Sequence, residues 1–377
     1  MDTYERHKRI FRFLAEILPP ILRRKFNLQY EFLHADGPIL LISNHANAWD
    51  PLFVGVCLRY KHVYYVASEH LFRLGLITRI LNWMVAPIPR RKASSGMDTV
   101  KACLRHLREG HSVCLFAEGE QCWDGCSAPI FSATGKLAKS SGASLVTFRL
   151  EGAYLSLPRW AHGIRRGEVY AHPVGIYSPE QLSRMTAQEV NELIERDICE
   201  DEWERQRRNP VCYHGKRLAE GIERALYACP VCQKIGTLQT HNDQIFCRCG
   251  FKRRYTETGF FEPADPFETI AEWDRWQREL LRSRSFPHEG DLLFSDSGIE
   301  LSIVQQGHAE KLLGVGELCQ YDDRLTLCGK EFALKEISNM ALVQAHLLLF
   351  SRNGEYYQIR TRAESNLRKY LEIWKEK

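Results

Sequence analysis

The sequence predicts an α/β protein with three parts: a main domain built on a mixed sheet covered by helices, a small cysteine-rich segment, and a C-terminal β-barrel-like domain with a terminal helix. Short apolar runs alternate with helical stretches from about residue 38 to 170, which is typical of a sheet covered on its faces. Four cysteines then cluster between residues 229 and 250. Several short alternating strands between 290 and 360 precede a last amphipathic helix.

The first 25 residues contain a basic amphipathic segment. Residues 4–18 carry apolar side chains at helical spacing, and Pro19-Pro20 is expected to end this helix. Seven basic and three acidic residues give residues 1–25 a charge of +4, equal to the formal net charge of the whole 377-residue chain. Two interpretations remain open: the helix packs on its own domain, or its basic face contacts an anionic phospholipid surface.

Residues 26–220 carry the alternating pattern of the main domain. Strands are predicted at Ile39–Ser43, His62–Ala67, Ser112–Phe116 and Ser144–Leu150. Helices are predicted at residues 52–60, 71–85, 96–109 and 132–141, and residues 178–227 are expected to be helical and highly charged. The strands are short apolar runs, which are typical of strands buried on both faces.

The rest of the chain divides into three predicted segments. Residues 225–255 hold the cysteine cluster, residues 260–287 form a tryptophan-rich helical linker, and residues 288–377 are β-rich with a final helix over Arg362–Glu376. The last segment resembles the barrels of pleckstrin-homology or GRAM domains at the level of the fold. This resemblance implies lipid or protein docking; the alternative is a scaffold that only stabilises the chain.

Composition and cysteine content restrict the class of protein. The hydrophobic share of 44% and the charged share of 26% are those of an ordinary globular protein, and the mild net charge does not suggest nucleic acid. Thirteen cysteines without a secretory signal favour a reducing compartment. No apolar run reaches the ~18 residues that a spanning helix needs, because Leu71–Val85 is interrupted by Arg73, Gly75 and Arg79.

A histidine and an aspartate follow the first predicted strand of the main domain. Asp50-Pro51 is typical of a helix start, with Asp as the N-cap and Pro as the first helical residue. At a strand-to-helix corner His45 and Asp50 can meet, although in a continuous helix they would point about 140° apart. Either Asp50 only caps the helix, or it orients His45 as a general base. No G-x-S-x-G motif is present, so such a base would activate a hydroxyl of the substrate.

Three short motifs occur in order and resemble those of one enzyme superfamily. They are Asn44-His45 to Asp50, Ala86-Pro87-Ile88-Pro89-Arg90 and Phe116-Ala117-Glu118-Gly119, and the stretch Phe131–Val146 resembles the lead into a fourth. They resemble the motifs of the glycerol-3-phosphate and lysophosphatidate acyltransferase superfamily. The resemblance covers roughly residues 35–170 and implies a lysophospholipid acyltransferase with a glycerolphosphate acyltransferase-like fold.

The resemblance implies roles for the residues of these motifs. His45, backed by Asp50, would remove the proton of the acceptor hydroxyl, which attacks the thioester of acyl-CoA or acyl-carrier protein. The acceptor site would be shaped by Asn44, Arg90, Glu118 and Gly119. Arg can hold a phosphate bidentately, and Gly lets N–H groups approach an anion closely. Alternatively, Arg90 belongs to a solvated basic turn and Glu118 caps a neighbouring helix.

The third and fourth motifs depart from the family pattern. Glu120-Gln121 replaces Thr-Arg, Ala117 replaces Pro, and Val146-Thr147 replaces Val-Pro. Losing the third-motif arginine while gaining Glu120 makes the site less favourable to a phosphomonoester. We therefore expect a lysophospholipid diester or a glycolipid to be accepted as readily as lysophosphatidate, with Arg149 and Lys136 as candidates for compensation.

The four clustered cysteines have the spacing of a metal site. Cys229-Pro-Val-Cys232 is followed, after fourteen residues, by Cys247-Arg-Cys249-Gly250. Two tight thiolate pairs can surround a tetrahedral zinc ion, and four thiolates leave no open position, so this zinc ribbon would be structural. The alternative is four reduced cysteines without metal. Few basic residues surround the pairs, so we do not expect nucleic acid to bind.

Together these features predict a peripheral membrane acyltransferase of phospholipid biosynthesis. Its partners would be an acyl donor (acyl-CoA or acyl-carrier protein), a lysolipid acceptor such as 1-acylglycerol-3-phosphate, and the membrane phospholipid surface. The expected location is cytoplasmic, on the inner face of the membrane. Two alternatives remain open: an acyltransferase whose acceptor lacks a phosphomonoester, or a non-catalytic lipid-binding regulatory protein.

Overall fold

The chain forms two compact units. The computed structural model describes residues 3–59, 61–69, 72, 76–90, 96–283, 291–305, 310–343, 345–361 and 365–376. The first unit contains the residues up to 90 together with Gly96–Arg159 and Gly163–Gly215. The second unit contains Trp160–His162 and the residues from Lys216 onward.

The first unit begins with one long helix, α1, over Thr3–Phe26. The helix continues through Pro19-Pro20, so the expected end near residue 18 is wrong. Proline in a helix interior costs a backbone hydrogen bond and clashes with the preceding turn. Leu22 and Phe26, both beyond the prolines, are fully buried, and this burial offsets the local cost. α1 is therefore part of the core of the first unit.

A seven-stranded mixed sheet forms the centre of the first unit. Its strands are β1 (Leu28–Tyr30), β2 (Ile39–Ser43), β3 (Val63–Ser68), β4 (Ile88–Arg90), β5 (Ser112–Phe116), β6 (Ser144–Glu151) and β7 (Val169–Tyr177). The spatial order is β1-β7-β6-β2-β5-β3-β4, and of these pairs β6–β7 is antiparallel and the others are parallel. Every residue of β2 is buried, as expected for a strand covered on both faces.

Helices connect the strands and cover the sheet, so the predicted fold class is confirmed. They are α2 (Asp50–Cys57), α3 (Leu76–Met84), α4 (Met97–Arg108), α5 (Ala133–Ser140), α6 (Ala153–Ser156), α7 (Pro179–Ser183), α8 (Ala187–Ile198) and α9 (Glu202–Arg208). The first four match the predicted positions; part of the predicted start of α3, between residues 71 and 75, lies outside the described residues. No helix in the described part of the chain has the length and hydropathy needed to cross a bilayer.

The parallel strands bring the predicted motifs to one edge of the sheet. Ser43 at the end of β2 pairs with Phe116 at the end of β5, and Ser68 of β3 pairs with Arg90 of β4. The residues that follow these strands therefore lie along the same carboxyl edge. Open α/β sheets bind their ligands at this edge.

The second unit begins with a small antiparallel sheet around the cysteine cluster. Its strands are β8 (Leu238–His241), β9 (Gln244–Cys247), β10 (Lys252–Tyr255) and β11 (Phe261–Glu262), in the order β11-β10-β9-β8. The helix α10 (Ile270–Ser283) packs on this sheet through Trp273, whose ring contacts Phe251 and Phe261. The indole N–H of Trp273 donates to the carbonyl of Ala228, next to Cys229.

A larger antiparallel sheet completes the second unit. Its strands are β12 (Leu292–Val304), β13 (Glu310–Tyr321), β14 (Arg324–Leu327), β15 (Lys330–Ala333), β16 (Ile337–Val343), β17 (Leu347–Arg352) and β18 (Glu355–Arg360), in the order β15-β14-β13-β12-β18-β17-β16. Phe332 of β15 contacts Phe350 of β17 with ring centroids 5.1 Å apart, so the sheet curls onto itself. The final helix, α11 (Arg368–Lys375), packs through Tyr370 on Phe294. Residues 362–364, the predicted start of this helix, lie outside the described residues.

Candidate active site

The histidine and the aspartate of the first motif are hydrogen-bonded. His45 Nδ1 lies 2.7 Å from Oδ2 of Asp50. The same oxygen accepts the N–H groups of Ala46 at 2.6 Å and Asn47 at 2.9 Å. α2 begins at Asp50 itself, with Trp49 at the N-cap position, so the expected N-cap role of Asp50 is wrong. Its carboxylate instead turns back to the loop that carries His45.

This pairing determines which nitrogen of His45 can take up a proton. Because Nδ1–H donates to Asp50, Nε2 carries the lone pair. The His45 side chain is 19% exposed, whereas that of Asp50 is fully buried. The imidazole stacks on Phe116 with centroids 4.4 Å apart, which fixes its orientation. A buried carboxylate stabilises the imidazolium that forms on protonation, so the pair has the geometry of a general base.

Glu118 holds the backbone of the loop that carries His45. Its Oε1 accepts the N–H of His45 at 2.8 Å, and its Oε2 accepts the N–H of Ala128 at 2.8 Å. The carbonyl of His45 accepts the N–H of Cys122 at 3.0 Å, so both backbone groups of His45 are held by the segment after β5. Burial raises the pKa of Glu118 to about 8, against the opposite effect of the two N–H donors. Its contact with an acceptor remains a prediction.

Asn44 and Gly119 support the backbone on either side of the pair. The Asn44 amide donates to the carbonyl of Leu150 at 2.9 Å and accepts its N–H at 2.8 Å, which joins the end of β2 to β6. Gly119 has φ +75°, and a Cβ there would lie 2.5 Å from the ring of Phe131. A larger residue would strain the backbone and displace that ring. For both residues, contact with an acceptor remains a prediction.

Arg90 lies at the end of β4, beside the first turn of α4. A Cβ on Gly96, the N-cap of α4, would lie 2.8 Å from the guanidinium carbon of Arg90. Partial burial lowers the pKa of Arg90, but a guanidinium stays cationic at neutral pH. A cation beside a helix N-terminus attracts anions. The basic turn expected from the sequence would continue into residues 91–95, which lie outside the described residues.

Arg159 is a residue of this region that the sequence analysis missed. Its Nη1 lies 3.0 Å from Oε2 of Glu120 and donates to the carbonyl of Gln121 at 2.7 Å. Its guanidinium carbon lies 3.8 Å from the ring centroid of Trp123. The negative charge of Glu120 is therefore compensated within the protein. No motif surrounds Arg159 in the sequence, so only the folded chain reveals the pair.

The two candidates for replacing the lost arginine of the third motif, Arg149 and Lys136, are placed differently from Arg159. The guanidinium of Arg149 donates to the carbonyl of Asp197 at 2.9 and 2.7 Å. Lys136 is exposed on α5. Arg159, in contrast, pairs directly with Glu120.

A set of exposed apolar side chains lies on α1 and α3, and we call it the apolar set. Its members and their exposed fractions are Phe13 (60%), Ile17 (41%), Ile21 (45%), Leu76 (70%), Ile80 (47%) and Trp83 (56%). The two helices are in contact, because Arg6 of α1 donates to the carbonyl of Trp83 at 3.2 Å and lies over its ring at 5.5 Å. The buried residues of α1, including Phe11, occupy other positions of the helix.

The four clustered cysteines come together in the second unit. The Sγ atoms of Cys229 and Cys249 are 3.6 Å apart, and those of Cys232 and Cys247 are 3.8 Å apart. All four sulfurs lie within 4.8 Å of one another. Zinc bonds of about 2.3 Å in a tetrahedron separate the sulfurs by about 3.8 Å, so this donor set fits zinc.

Comparison with known proteins identifies similarity in the first unit. Residues 25–151 match the family model described as Acyltransferase. A chloroplastic 1-acyl-sn-glycerol-3-phosphate acyltransferase of Brassica napus is 26% identical over 131 residues, which cover 34% of this chain and 38% of that protein. One of Arabidopsis thaliana is 27% identical over 131 residues, covering 34% and 36%. The chain thus spans little more than a third of the length of these curated relatives.

One solved structure is also similar. The 1-acyl-sn-glycerophosphate (LPA) acyltransferase PlsC from Thermotoga maritima superposes with a TM-score of 0.41 at 16% sequence identity. The superposition covers 52% of this chain and 81% of that one.

Proposed function

We propose that this chain transfers a fatty acyl group from acyl-CoA or acyl-carrier protein to a hydroxyl of a lysophospholipid such as 1-acylglycerol-3-phosphate. The match of residues 25–151 to the Acyltransferase family model and the similarity to the two plant enzymes support this proposal. The observation that carries the proposal is the hydrogen bond of 2.7 Å between His45 Nδ1 and the buried carboxylate of Asp50. This bond leaves Nε2 as the basic nitrogen, and a base without a protein nucleophile acts on a hydroxyl of the substrate.

In the proposed mechanism, His45 Nε2 takes the proton of the acceptor hydroxyl as its oxygen attacks the thioester carbonyl. The new C–O bond forms, the C–S bond breaks, and the leaving thiolate receives the proton from the imidazolium. Asp50 stabilises the imidazolium between these two steps. General base catalysis of this kind contributes roughly 10²–10⁴ to the rate. Glu118 contributes by holding the backbone of His45 in place.

The anionic headgroup of the acceptor is assigned to Arg90 and the first turn of α4. A guanidinium gives bidentate hydrogen bonds to phosphate, and the helix N-terminus adds unpaired N–H groups and a favourable dipole. Arg90 ends β4 at the sheet edge to which the His45 loop also belongs. The names of the curated relatives, both 1-acyl-sn-glycerol-3-phosphate acyltransferases, favour the same class of acceptor.

The proposed function includes docking on a membrane surface, because both acyl donor and acceptor carry long apolar chains. The apolar set on α1 and α3 supports this location. α1 also carries basic residues in its last turn, Arg23, Arg24 and Lys25, which favour an anionic phospholipid surface. In the second unit, the four-cysteine cluster is proposed to hold one structural zinc ion, supported by the sulfur separations of 3.6 and 3.8 Å.

The function is tested by following thiol release from acyl-CoA in the presence of lysolipid acceptors. The wild type is expected to turn over, whereas His45→Ala is expected to lose activity by roughly 10²–10⁴-fold and to keep its fold. Asp50→Asn is expected to be nearly as inactive, because the amide no longer stabilises the imidazolium. The control is His34→Ala, which replaces an exposed histidine outside the site and should keep full activity.

Wild-type turnover in the His45→Ala protein would contradict the mechanism. A wild type that binds lysolipid vesicles but releases no thiol with any donor would favour the non-catalytic lipid-binding alternative. These two outcomes are distinguishable. The first shows an active enzyme that does not depend on His45, whereas the second shows a wild-type protein without acyltransferase activity.

A further inference from the structure

A second group of histidines in the first unit lies at the opposite edge of the sheet from His45. His45 and Glu118 follow the carboxyl ends of β2 and β5. His111, in contrast, immediately precedes β5 at the amino edge. His106 lies in the last turn of α4, and Glu109 follows that helix directly. The proposed acyl transfer uses none of these three side chains.

The three side chains converge on one point. A ligand atom from each of His106, Glu109 and His111 lies within 4.8 Å of the other two. His111 Nδ1 is already 3.6 Å from Oε2 of Glu109. The turn is closed by the N–H of His111, which donates to the carbonyl of His106 at 2.8 Å and so brings the two imidazoles to the same side.

Each imidazole has a buried nitrogen that makes no hydrogen bond with the described residues. These nitrogens are the Nδ1 atoms of His106 and His111. A buried polar atom that makes no hydrogen bond is unfavourable, because it has lost its hydrogen bonds to water. The rings are also held in place, because His111 stacks on Tyr4 of α1 at 4.1 Å and His106 lies 4.4 Å from the ring of Tyr64. Two fixed nitrogens beside a carboxylate match a metal-ion donor set.

We propose that His106, Glu109 and His111 bind a divalent cation of the zinc class through two imidazole nitrogens and one carboxylate oxygen. Imidazole together with carboxylate is a ligand set that zinc uses when it has three protein ligands, with the fourth position left to water. Bonds of about 2.0–2.2 Å hold such ligands about 3.3–3.6 Å apart, a separation that His111 and Glu109 already have. The ligand atom of His106 lies within 4.8 Å of the other two, so a change of side-chain torsion angle would bring it to bonding distance.

The bound ion would stabilise the start of α1. The ring of Tyr4 in α1 stacks on the ring of His111. An ion that holds the turn between α4 and β5 in place would therefore also hold the first turns of α1 in place. This site is independent of the four-cysteine cluster, which belongs to the second unit. It is also independent of the proposed acyl transfer, so either proposal can fail without the other.

The test is a calorimetric titration of the full-length chain with Zn²⁺ and, separately, with Co²⁺. Elemental analysis before the titration counts the metal already held by the protein, so that the four-cysteine cluster is accounted for. The wild type is expected to bind one further equivalent. His111→Ala and Glu109→Gln are each expected to weaken this binding by about tenfold or more. The Glu109 side chain is half exposed, so Glu109→Gln should leave the fold unchanged.

The matched control is His34→Ala, which removes an exposed histidine elsewhere in the first unit and should bind the additional equivalent with unchanged affinity. Hydrogen exchange supplies a second readout: metal should protect the first turns of α1 in the wild type but not in Glu109→Gln. The proposal is overturned if no equivalent beyond the initial metal content binds, or if Glu109→Gln and His111→Ala bind it as tightly as the wild type.

Discussion

At the residue scale, two buried carboxyl groups, those of Asp50 and Glu118, determine where His45 lies. Asp50 uses one oxygen both to orient the imidazole and to close the turn between β2 and α2 through the N–H groups of Ala46 and Asn47. Glu118 fixes the backbone N–H of His45 from the neighbouring strand. Asp50 and Glu118 therefore hold the ring and the backbone of His45 in place before any substrate binds. A general base requires this preorganisation.

The pair of Arg159 and Glu120 leads to a prediction about the acceptor. Arg159→Gln leaves the Glu120 carboxylate without its guanidinium partner. Two charges about 10 Å apart at an effective dielectric of 20 repel by about 1.7 kcal/mol, roughly a tenfold change in affinity. We expect kcat/KM for lysophosphatidate to fall by about tenfold relative to lysophosphatidylglycerol, a diester with a single charge, and to fall mainly through KM.

Two further variants decide whether charge is the cause. Adding Glu120→Gln to Arg159→Gln should restore the original ratio between the two acceptors, because it removes the uncompensated carboxylate. Arg208→Gln, which changes an arginine with a side chain 77% exposed, should leave the ratio unchanged. An acceptor ratio that stays the same in Arg159→Gln would show that Glu120 does not face the headgroup.

The sequence predicted the residues of the site better than their contacts. The order of the three motifs is visible in the chain, and parallel strands place the ends of those motifs along one edge. The hydrogen-bond partner of a carboxylate is determined by differences of a few tenths of an ångström in the distances between segments that are far apart in the sequence. His45 and Glu118 are 73 positions apart in the sequence, and Glu120 and Arg159 are 39 positions apart. No local pattern marks either pair.

At the element scale, α1 combines two faces that the sequence pattern did not separate. Phe11, Leu22 and Phe26 are buried against the domain, whereas Phe13 and Ile17 are exposed. One helix therefore belongs to the core and also presents apolar side chains to the surroundings. Both interpretations of the amphipathic pattern, packing and lipid contact, are compatible with this arrangement because they use different positions of the helix.

The apolar set can be tested by single substitutions. Phe13→Ser and Leu76→Ser each remove an exposed apolar side chain without touching the core. Partial burial of such a side chain in a bilayer interface is worth about 1 kcal/mol, so each change should lower partition onto phosphatidylglycerol vesicles roughly fivefold. Sedimentation of the protein with vesicles measures this. Val231→Ser, a change at a 62% exposed residue of the second unit, is the control and should partition like the wild type.

Equal partition of all three variants and the wild type would mean that the apolar set does not contact lipid. Deletion of α1 would be a less specific experiment, because it would also remove Leu22 and Phe26 from the core and thereby lower the free energy of unfolding.

The elements themselves were predictable to different degrees. β2, β5 and β6 are short apolar runs bounded by turns, and their observed bounds differ from the predicted ones by at most one residue. The extent of α1 was not predictable from local propensity. Pro19-Pro20 is a strong local stop signal, and the burial of Leu22 and Phe26 that outweighs it exists only in the folded chain.

At the scale of the whole molecule, the second unit connects the cysteine cluster to helices that are distant in sequence. The N–H of Tyr227 donates to Gln277 of α10 at 2.8 Å, two residues before Cys229. Arg368 of α11 donates to the carbonyl of Ala225 at 3.1 Å and binds Asp274 through two hydrogen bonds of 2.7 and 2.8 Å. A buried charge pair of this kind is costly to separate, so the cluster, α10 and α11 are expected to unfold together.

The last prediction concerns removal of the proposed structural zinc. Metal affinity in small ribbons is folding free energy, on the order of 10 kcal/mol, so Cys232→Ser or a strong chelator should destabilise the second unit. Hydrogen exchange should become faster in residues 225–283 and in α11, because Trp273 and Arg368 would lose their hydrogen bonds to the carbonyls of Ala228 and Ala225. The strands β2 and β5 of the first unit should keep their protection. Cys328→Ser, at an exposed cysteine of the same unit, is the matched control. Elemental analysis without zinc, or equal exchange in Cys232→Ser and Cys328→Ser, would assign the four thiols a role in packing alone.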